Sequence, residues 1–477
     1  MIRSPDPQRP RPPAALAAPP RPRPAAPGGA RAPRRPGPSA LGPLGALALG
    51  LVTCAGPKAP LAPPPAPAAP DHQPPPALAP APPPAPAPDA AAEGPARGAP
   101  QPVELPGFFG RLCELRAGAR HDHVRVAWLG DSHAAADIWT GVVRRRLQER
   151  YGNGGPGFVH IGWKAKAPLR HEGVAFSASA RWRLEPPDYS RNKRFDDGVL
   201  GLGGVRTLPT EAGARARVEV TDPALRGEPL RWTLSYRHFA TPASALVALG
   251  DGTQHKLRPE GPARAAPQQR SFRGPDAFEI RGGRGLQFFG LVAEAEAPGL
   301  VVDTLGLNGA RLSTLLAWDE ASWVGELARR KPDLVALAYG TNESQEPPGN
   351  PGRFGEQLDA VLDRVRKAAP EADCLVILPM ERGERAAQER LAAVSDALAA
   401  RARARRCALW DARAAMGGPG SFAAWQRETP PLAAPDGVHL KTRGYLALGE
   451  ALARDLLEGA GRCEPQRPSS PVERPVP

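Results

Sequence analysis

Four short clusters hold side chains able to do acyl chemistry, and they follow one another along the chain as Gly130-Asp131-Ser132-His133, Gly306-Leu307-Asn308-Gly309, Gly340-Thr341-Asn342 and Asp436-Gly437-Val438-His439. A serine attacks a carbonyl only when a base lies within hydrogen-bond reach and a third group holds that base in one tautomer. Asp436 and His439, three apart on one loop, can serve Ser132 as orienter and base. The tetrahedral intermediate also needs preorganised donors. The Ser132 N–H, the unobstructed Gly309 N–H and the Asn342 side-chain amide can provide three. Each cluster alone is a weak signal, because GDS turns, GxN loops and DxxH caps are common. Their joint order is the stronger observation.

That order matters because each cluster follows a predicted strand or lies in the last loop. An apolar run at 124–129 ends at Gly130, and helical spacing of Ile138, Val142, Val143 and Leu147 predicts a helix over 134–151. A short helix over 106–117 precedes them. Further on, strands are predicted at 300–307, 334–339, 374–379 and 407–411. They alternate with helices at 312–330, 351–369, 384–404 and 443–457. Such alternation predicts right-handed βαβ units and a parallel sheet covered on both faces, with reactive groups at the carboxyl ends of its strands. A serine at the strand-to-helix turn sits at a helix N-terminus, where developing negative charge is favoured. Between 164 and 298 the rhythm breaks into short, often alternating segments at 174–184, 214–220, 230–239, 245–249, 277–281 and 285–294. Turns such as Gly250-Asp251-Gly252 separate them, which predicts an inserted antiparallel sandwich.

The chain has 477 residues, with 62 Lys+Arg against 49 Asp+Glu and 41 % hydrophobic residues. Wholly disordered and simple one-core readings are both excluded. Much of the formal +13 charge belongs to the first forty residues, where eight arginines face the single acid Asp6. No nucleic-acid-binding motif follows, so nucleic acid is not an expected partner. The apolar stretch 41–53 is shorter than a membrane-spanning helix and reads as an export signal. Leu51-Val52-Thr53-Cys54 can be read as a lipobox with Cys54 lipidated, or the same region as an ordinary cleavage site. The Ala/Pro-rich segment that follows suits a polyproline spacer. None of the five cysteines has metal-ligand spacing, and Cys113, Cys374, Cys407 and Cys463 can be buried thiols or form up to two disulfides.

The four clusters, together with the string GDSHAAADIWTGVVRRRLQERYGNGGPGFVHIG at 130–162 and LGLNGARL, resemble the SGNH or GDSL-type hydrolase superfamily, nearest to bacterial peptidoglycan O-acetylesterases. The resemblance covers roughly 106–457. It implies a flavodoxin-like α/β/α hydrolase domain carrying an inserted, jelly-roll-like carbohydrate-binding module. It places the nucleophile on Ser132, the oxyanion donors on Ser132, Gly309 and Asn342, and the remaining pair on Asp436 and His439. The implied substrate is the O-acetyl group of muramoyl residues in an acetylated cell-wall glycan, with no metal or organic cofactor. The expected organisation is a basic leader and export signal over 1–55, a linker over 56–104, and hydrolase segments over 105–163 and 300–460. Between these segments comes the sandwich over 164–299, and a tail over 461–477 follows. Localisation is expected in the periplasm or the outer cell envelope.

Other residues have two readings. Asp137 can touch substrate or be solvated, and Trp182, Trp232, Tyr236 and Phe239 can stack on sugar rings or fill the sandwich core. Trp163, Arg311 and Trp318 are candidates for the acyl pocket. His133 adjoins the nucleophile on a tight turn and is expected to point away, while Asp131 is read as a helix cap. Two rival functions use the same residues differently: an O-acetyltransferase that excludes water, and a cell-wall-binding protein with a vestigial site.

Overall fold

The computed structural model describes residues 98–163, 171–188, 193–346 and 352–461. The leader and most of the linker, with Cys54, therefore lie outside the described residues, as does nearly all of the 461–477 segment.

Helix α1 (Pro106–Arg116) starts on a proline in its first turn, where a missing N–H is harmless. Strand β1 (Val124–Gly130) is buried along its whole length, as a central parallel strand must be. The predicted helix 134–151 is two helices, α2 (Ser132–Ala135) and α3 (Trp139–Tyr151). Asp137 breaks them with a left-handed backbone at φ 48°. Its carboxylate turns inward instead of capping outward, for reasons given below.

The described residues then form eleven antiparallel strands: β2 (Gly157–Val159), β3 (Val174–Ala178), β4 (Trp182–Glu185), β5 (Arg206–Pro209), β6 (Arg215–Val220), β7 (Leu230–His238), β8 (Ala245–Leu249), β9 (Gln254–Leu257), β10 (Gln268–Gly274), β11 (Ala277–Gly282) and β12 (Leu286–Ala295). One sheet runs β10-β7-β12-β5-β4 with β2 also on β12, and the other runs β3-β6-β11-β8-β9. The segment 174–184 is thus not one strand. Its two halves, β3 and β4, belong to opposite sheets. Strand β2 lies ahead of residue 164 yet pairs with β12.

The parallel domain resumes with β13 (Leu300–Gly306), α4 (Leu312–Leu316), α5 (Glu320–Arg330), β14 (Leu334–Ala338), α6 (Gly352–Ala368), β15 (Asp373–Leu378), α7 (Arg385–Ala404), β16 (Ala408–Asp411), α8 (Ala412–Ala415), α9 (Ser421–Arg427) and α10 (Thr442–Ala460). Asp319 splits the predicted 312–330 helix, because its side chain caps α5 by accepting from the Ser322 N–H at 3.0 Å. The sheet order is β13-β1-β14-β15-β16, all parallel. In chain order this is 2-1-3-4-5, the flavodoxin-like doubly wound arrangement, whose topological switch point lies beside the first strand. Trp128 points into the core under α1, α3 and α10, while Ala127 and Leu129 point into the core under α4 to α7. Cys374 and Cys407 stand at the starts of neighbouring strands and are joined as a disulfide, and Cys113 is disulfide-bonded as well. Of the two readings open for these three cysteines, the disulfide is the one observed.

Strand β12 is buried over all ten residues because it serves two cores, Leu291 and Ala293 facing the sandwich interior and Val292 the α/β domain. A buried ionic cluster ties the two parts. Glu294 accepts from Arg125 at 2.8 Å and Arg330 at 2.9 Å, and Asp303 accepts from Arg330 at 2.7 Å and from the Phe158 N–H at 2.8 Å.

Candidate active site

Ser132 is the first residue of α2, directly past the end of β1. Asp131 caps that helix, accepting from the His133 N–H at 2.9 Å. It is almost fully buried, and burial pushes its carboxyl up to about 6 despite that bond. The helix lies against the end of β13 so closely that a Cβ on Gly306 would stand 2.3 Å from the Ala135 nitrogen. Gly306 must therefore be glycine for Ser132 and the Gly309 loop to share one crevice.

The Ser132 Oγ lies 2.9 Å from His439 Nε2, and His439 Nδ1 lies 2.8 Å from Asp436 Oδ2. The carboxylate requires a proton on Nδ1, which leaves Nε2 as acceptor for the serine hydroxyl. Asp436 Oδ1 accepts from the Val438 and His439 N–H groups at 2.9 Å each. Partial burial alone would raise this carboxyl, but those N–H groups and the imidazole bring it below the usual carboxylate range. Asp436 thus stays ionised through the neutral range and holds His439 as a base. The two side chains are 49 % and 41 % exposed, so water reaches the base directly.

On the other side of Ser132, Gly309 adopts φ 74°, a left-handed turn that suits glycine and leaves the N–H clear. The Asn342 Nδ2 donates to the Ala310 carbonyl at 2.9 Å, which fixes the amide and leaves its second N–H for a ligand. The Ser132 N–H, in the first turn of α2, has no helix partner. All three donors lie at the carboxyl ends of β1, β13 and β14. Arg311, one of the pocket candidates, is brought to the site, with its Nε 3.2 Å from the Asn342 carbonyl. Trp163 and Trp318 pack into the α/β core instead.

Several expectations are corrected here. Asp137 is 3 % exposed and is not available to substrate. Its carboxylate accepts from Arg144 at 2.6 Å, Thr140 at 2.7 Å, Thr304 at 2.8 Å and the Glu172 N–H at 2.8 Å. Burial opposes that charge, yet Arg144 and His171 hold the carboxyl well below the usual range. Trp232 has no exposed surface; its Nε1 donates to the Pro275 carbonyl at 2.9 Å and its ring packs on Phe278. Trp182 is half-buried on the sandwich core beside Phe288, with Nε1 bonded to the Arg215 carbonyl. Trp232 offers no stacking face for a sugar. His133 turns from the serine to Tyr445, its Nδ1 2.8 Å from the hydroxyl, and burial drives its pKa down to about 3, so it is neutral. Among the described residues no cluster of His, Cys, Asp or Glu could hold a metal ion, and no helix is long and apolar enough to cross a membrane.

Residues 279–447 match the GDSL-like Lipase/Acylhydrolase family. A solved peptidoglycan O-acetylesterase superposes with a TM-score of 0.64 at 25 % identity, covering 74 % of this chain and 96 % of that one. The chain carries a GDSL-like acylhydrolase domain. It is a carboxylic ester hydrolase. A GDSL-like lipase from Parabacteroides merdae (14 % identity, TM-score 0.28, 34 % of this chain and 73 % of that one) and the carbohydrate acetylesterase Est24 from Sinorhizobium meliloti (16 %, 0.26, 33 % and 79 %) are more distant. Curated proteins give no match.

In this esterase Ser132 lies upstream of the matched 279–447 segment, beyond the inserted sandwich. Sequence reasoning missed Glu343. It is buried, and its two oxygens accept from the Leu312 N–H at 2.9 Å and the Gly340 N–H at 3.0 Å, so one carboxylate joins the loops after β13 and β14. The available signal was its spacing: a Glu three residues after the start of a turn often reaches back to that residue's N–H. Burial raises the Glu343 carboxyl to about 7.

Proposed function

We propose that the esterase removes O-acetyl groups from peptidoglycan through an acyl-enzyme on Ser132. The observation that carries this reading is the hydrogen-bonded line Ser132–His439–Asp436, at 2.9 and 2.8 Å, at the switch point of the parallel sheet. Likeness to a peptidoglycan O-acetylesterase across nearly that protein's whole length supports the choice of polymer. Ser132 Oγ attacks the acetyl carbonyl as His439 Nε2 takes its proton. The oxyanion accepts from Ser132 N–H, Gly309 N–H and Asn342 Nδ2. Collapse expels the sugar oxygen, which recovers the proton from His439. Water then attacks the acetyl-serine with the same base, releasing acetate and restoring the hydroxyl.

The exposure of the base and its orienter favours water over a sugar as acceptor, and so hydrolysis over O-acetyl transfer. An intact base–nucleophile geometry also speaks against a vestigial site. The Cys374–Cys407 disulfide suits an oxidising compartment, in keeping with export to the periplasm or outer envelope and with an anchor at Cys54. The test is acetate release from O-acetylated peptidoglycan beside acetylated xylan and alginate, with and without a sugar acceptor. Faster release from xylan or alginate would overturn the polymer assignment, and a transferred acetyl group would overturn hydrolysis.

A further inference from the structure

Six arginines are buried among the described residues: Arg125, Arg144, Arg206, Arg237, Arg330 and Arg382. Five lie 2.6 to 2.8 Å from a carboxylate oxygen: Arg125 on Glu294, Arg144 on Asp137, Arg206 on Glu185, Arg237 on Asp197 and Arg330 on Asp303. That is the ordinary condition of a buried cation, since an unpaired one is expensive to desolvate. Arg382 is the exception. It is 7 % exposed, yet among the described residues it has no ion pair. Its Nη1 makes only two contacts, at 3.4 Å each, to the Thr341 carbonyl and the Ser344 hydroxyl, and its Nε is buried with no partner.

The position of this cation ties it to the catalytic crevice. Arg382 follows β15, so it emerges at the carboxyl edge of the sheet with the other strand-end loops. Thr341, which it contacts, precedes Asn342. Its neighbour Gly383 donates to the Gly437 carbonyl at 2.9 Å, inside the turn that carries Asp436 and His439. The guanidinium is thus held by the loop of one oxyanion donor while its own loop is bonded to that of the base. The charges acting on it come from Glu384, Arg390 and Asp436, and none forms a pair. Guanidinium is a planar donor fork matched to a carboxylate.

We propose that Arg382 is a specificity residue that receives a carboxylate of the substrate beside the scissile acetyl ester. This rests on the esterase reading of Ser132, and it names the group on the glycan that is recognised beside the ester. In peptidoglycan the carboxylate has two sources, the lactyl group of a muramic acid or its stem peptide.

The test uses the full chain and inhibition of 4-nitrophenyl acetate hydrolysis. N-acetylmuramic acid offers a lactyl carboxylate, N-acetylmuramoyl-L-alanyl-D-isoglutamine a peptide carboxylate, and N-acetylglucosamine neither. At least one acid should inhibit roughly tenfold better than N-acetylglucosamine, with Arg382→Gln abolishing the preference and Arg382→Lys restoring part of it. Which acid wins identifies the source. Equal inhibition by all three in the unmodified protein, or a preference unchanged in Arg382→Gln, overturns the proposal. If 4-nitrophenyl acetate is not hydrolysed, the esterase reading fails. Calorimetric titration of the same three sugars then decides the carboxylate site by itself, on the same expected preference. A lower melting temperature in Arg382→Gln with the preference intact would assign the residue to folding alone.

Discussion

At the carboxyl ends of β1, β13 and β14 the polar groups Ser132, Gly309 and Asn342 face a crevice, whereas in the sandwich the aromatic side chains Trp232, Tyr236 and Phe278 are sealed between two sheets. The difference comes from how each architecture uses its residues. A doubly wound sheet satisfies its core with the strand interiors, so the residues just past the strand ends are not consumed by folding. An antiparallel sandwich buries alternate side chains along each strand, so a large aromatic there belongs to the interior first. Aromatic composition is therefore a poor guide to sugar binding in this insert, while strand-end position is a good guide to chemistry.

The comparison breaks most visibly at Ser132. Ser132→Ala should lower kcat by at least about 10³-fold with the fold intact, because base and oxyanion donors without a nucleophile retain little rate. Comparable turnover of an acetyl ester by the variant would remove Ser132 from the mechanism. Asn342→Ala should lose roughly 10²–10³-fold, chiefly in kcat, because one oxyanion donor acts in the transition state and two backbone donors remain. An increase in KM with kcat unchanged would make Asn342 a ground-state binding residue instead.

Substitutions away from the strand ends should act on stability. Trp232→Ala should cost about 3–5 kcal/mol of unfolding free energy by cavity formation, with turnover per folded molecule unchanged. Asp137→Asn should cost a similar amount, about 3–5 kcal/mol, because it leaves the buried Arg144 unpaired. Its folded carboxyl is depressed, so its stabilisation is present above the unfolded value near 3.8 and disappears as the pH falls below it. Chemical denaturation at pH 7 measures both losses. A raised KM for polymer with unchanged stability would return Asp137 to the substrate site.

The parallel strands were legible because each is a short, mostly apolar run; the predicted starts at 124, 300 and 334 are the observed ones. The breaks at Asp137 and Asp319 were not, since helical spacing runs on through both. Asp137 leaves the helix for partners far along the chain, Glu172 and Thr304, and local spacing cannot announce them. Strands β3 and β4 were read as one for a similar reason, as three residues, 179–181, are enough to carry the chain from one sheet to the other. The site divides in the same way. Ser132, Gly309, Asn342, Asp436 and His439 were recognisable by residue type within short clusters. Glu343 and Arg382 owe their interest to which loops meet around them, and that is set by topology alone.

The smallest expected effect lies beneath the site, where the carboxylate that joins two loops should weaken the fold it organises. Glu343 is raised from 4.5 to about 7 and Asp131 from 3.8 to about 6, both by burial. A folded pKa above the unfolded one means that the folded state takes up a proton in that interval. Its relative stability is greatest below the unfolded value and declines as the pH rises to the folded one. For Glu343 the interval is about 4.5 to 7, and the difference across it is of order 2–3 kcal/mol. The buried histidines pull the other way. Burial lowers His123, His133, His160 and His171, so the unfolded state binds more protons and stability rises with pH up to about 6.5. The whole-protein curve mixes these trends, and the comparison with Glu343→Gln isolates one of them. Glutamine cannot titrate and sets its NH2 against one of two N–H donors, so the variant should melt lower throughout. The gap in melting temperature should be widest near pH 4.5 and narrow by a few degrees toward pH 7.5. A gap constant across that range would mean that Glu343 is already ionised at the acid end, held as an anion by the Leu312 and Gly340 N–H groups.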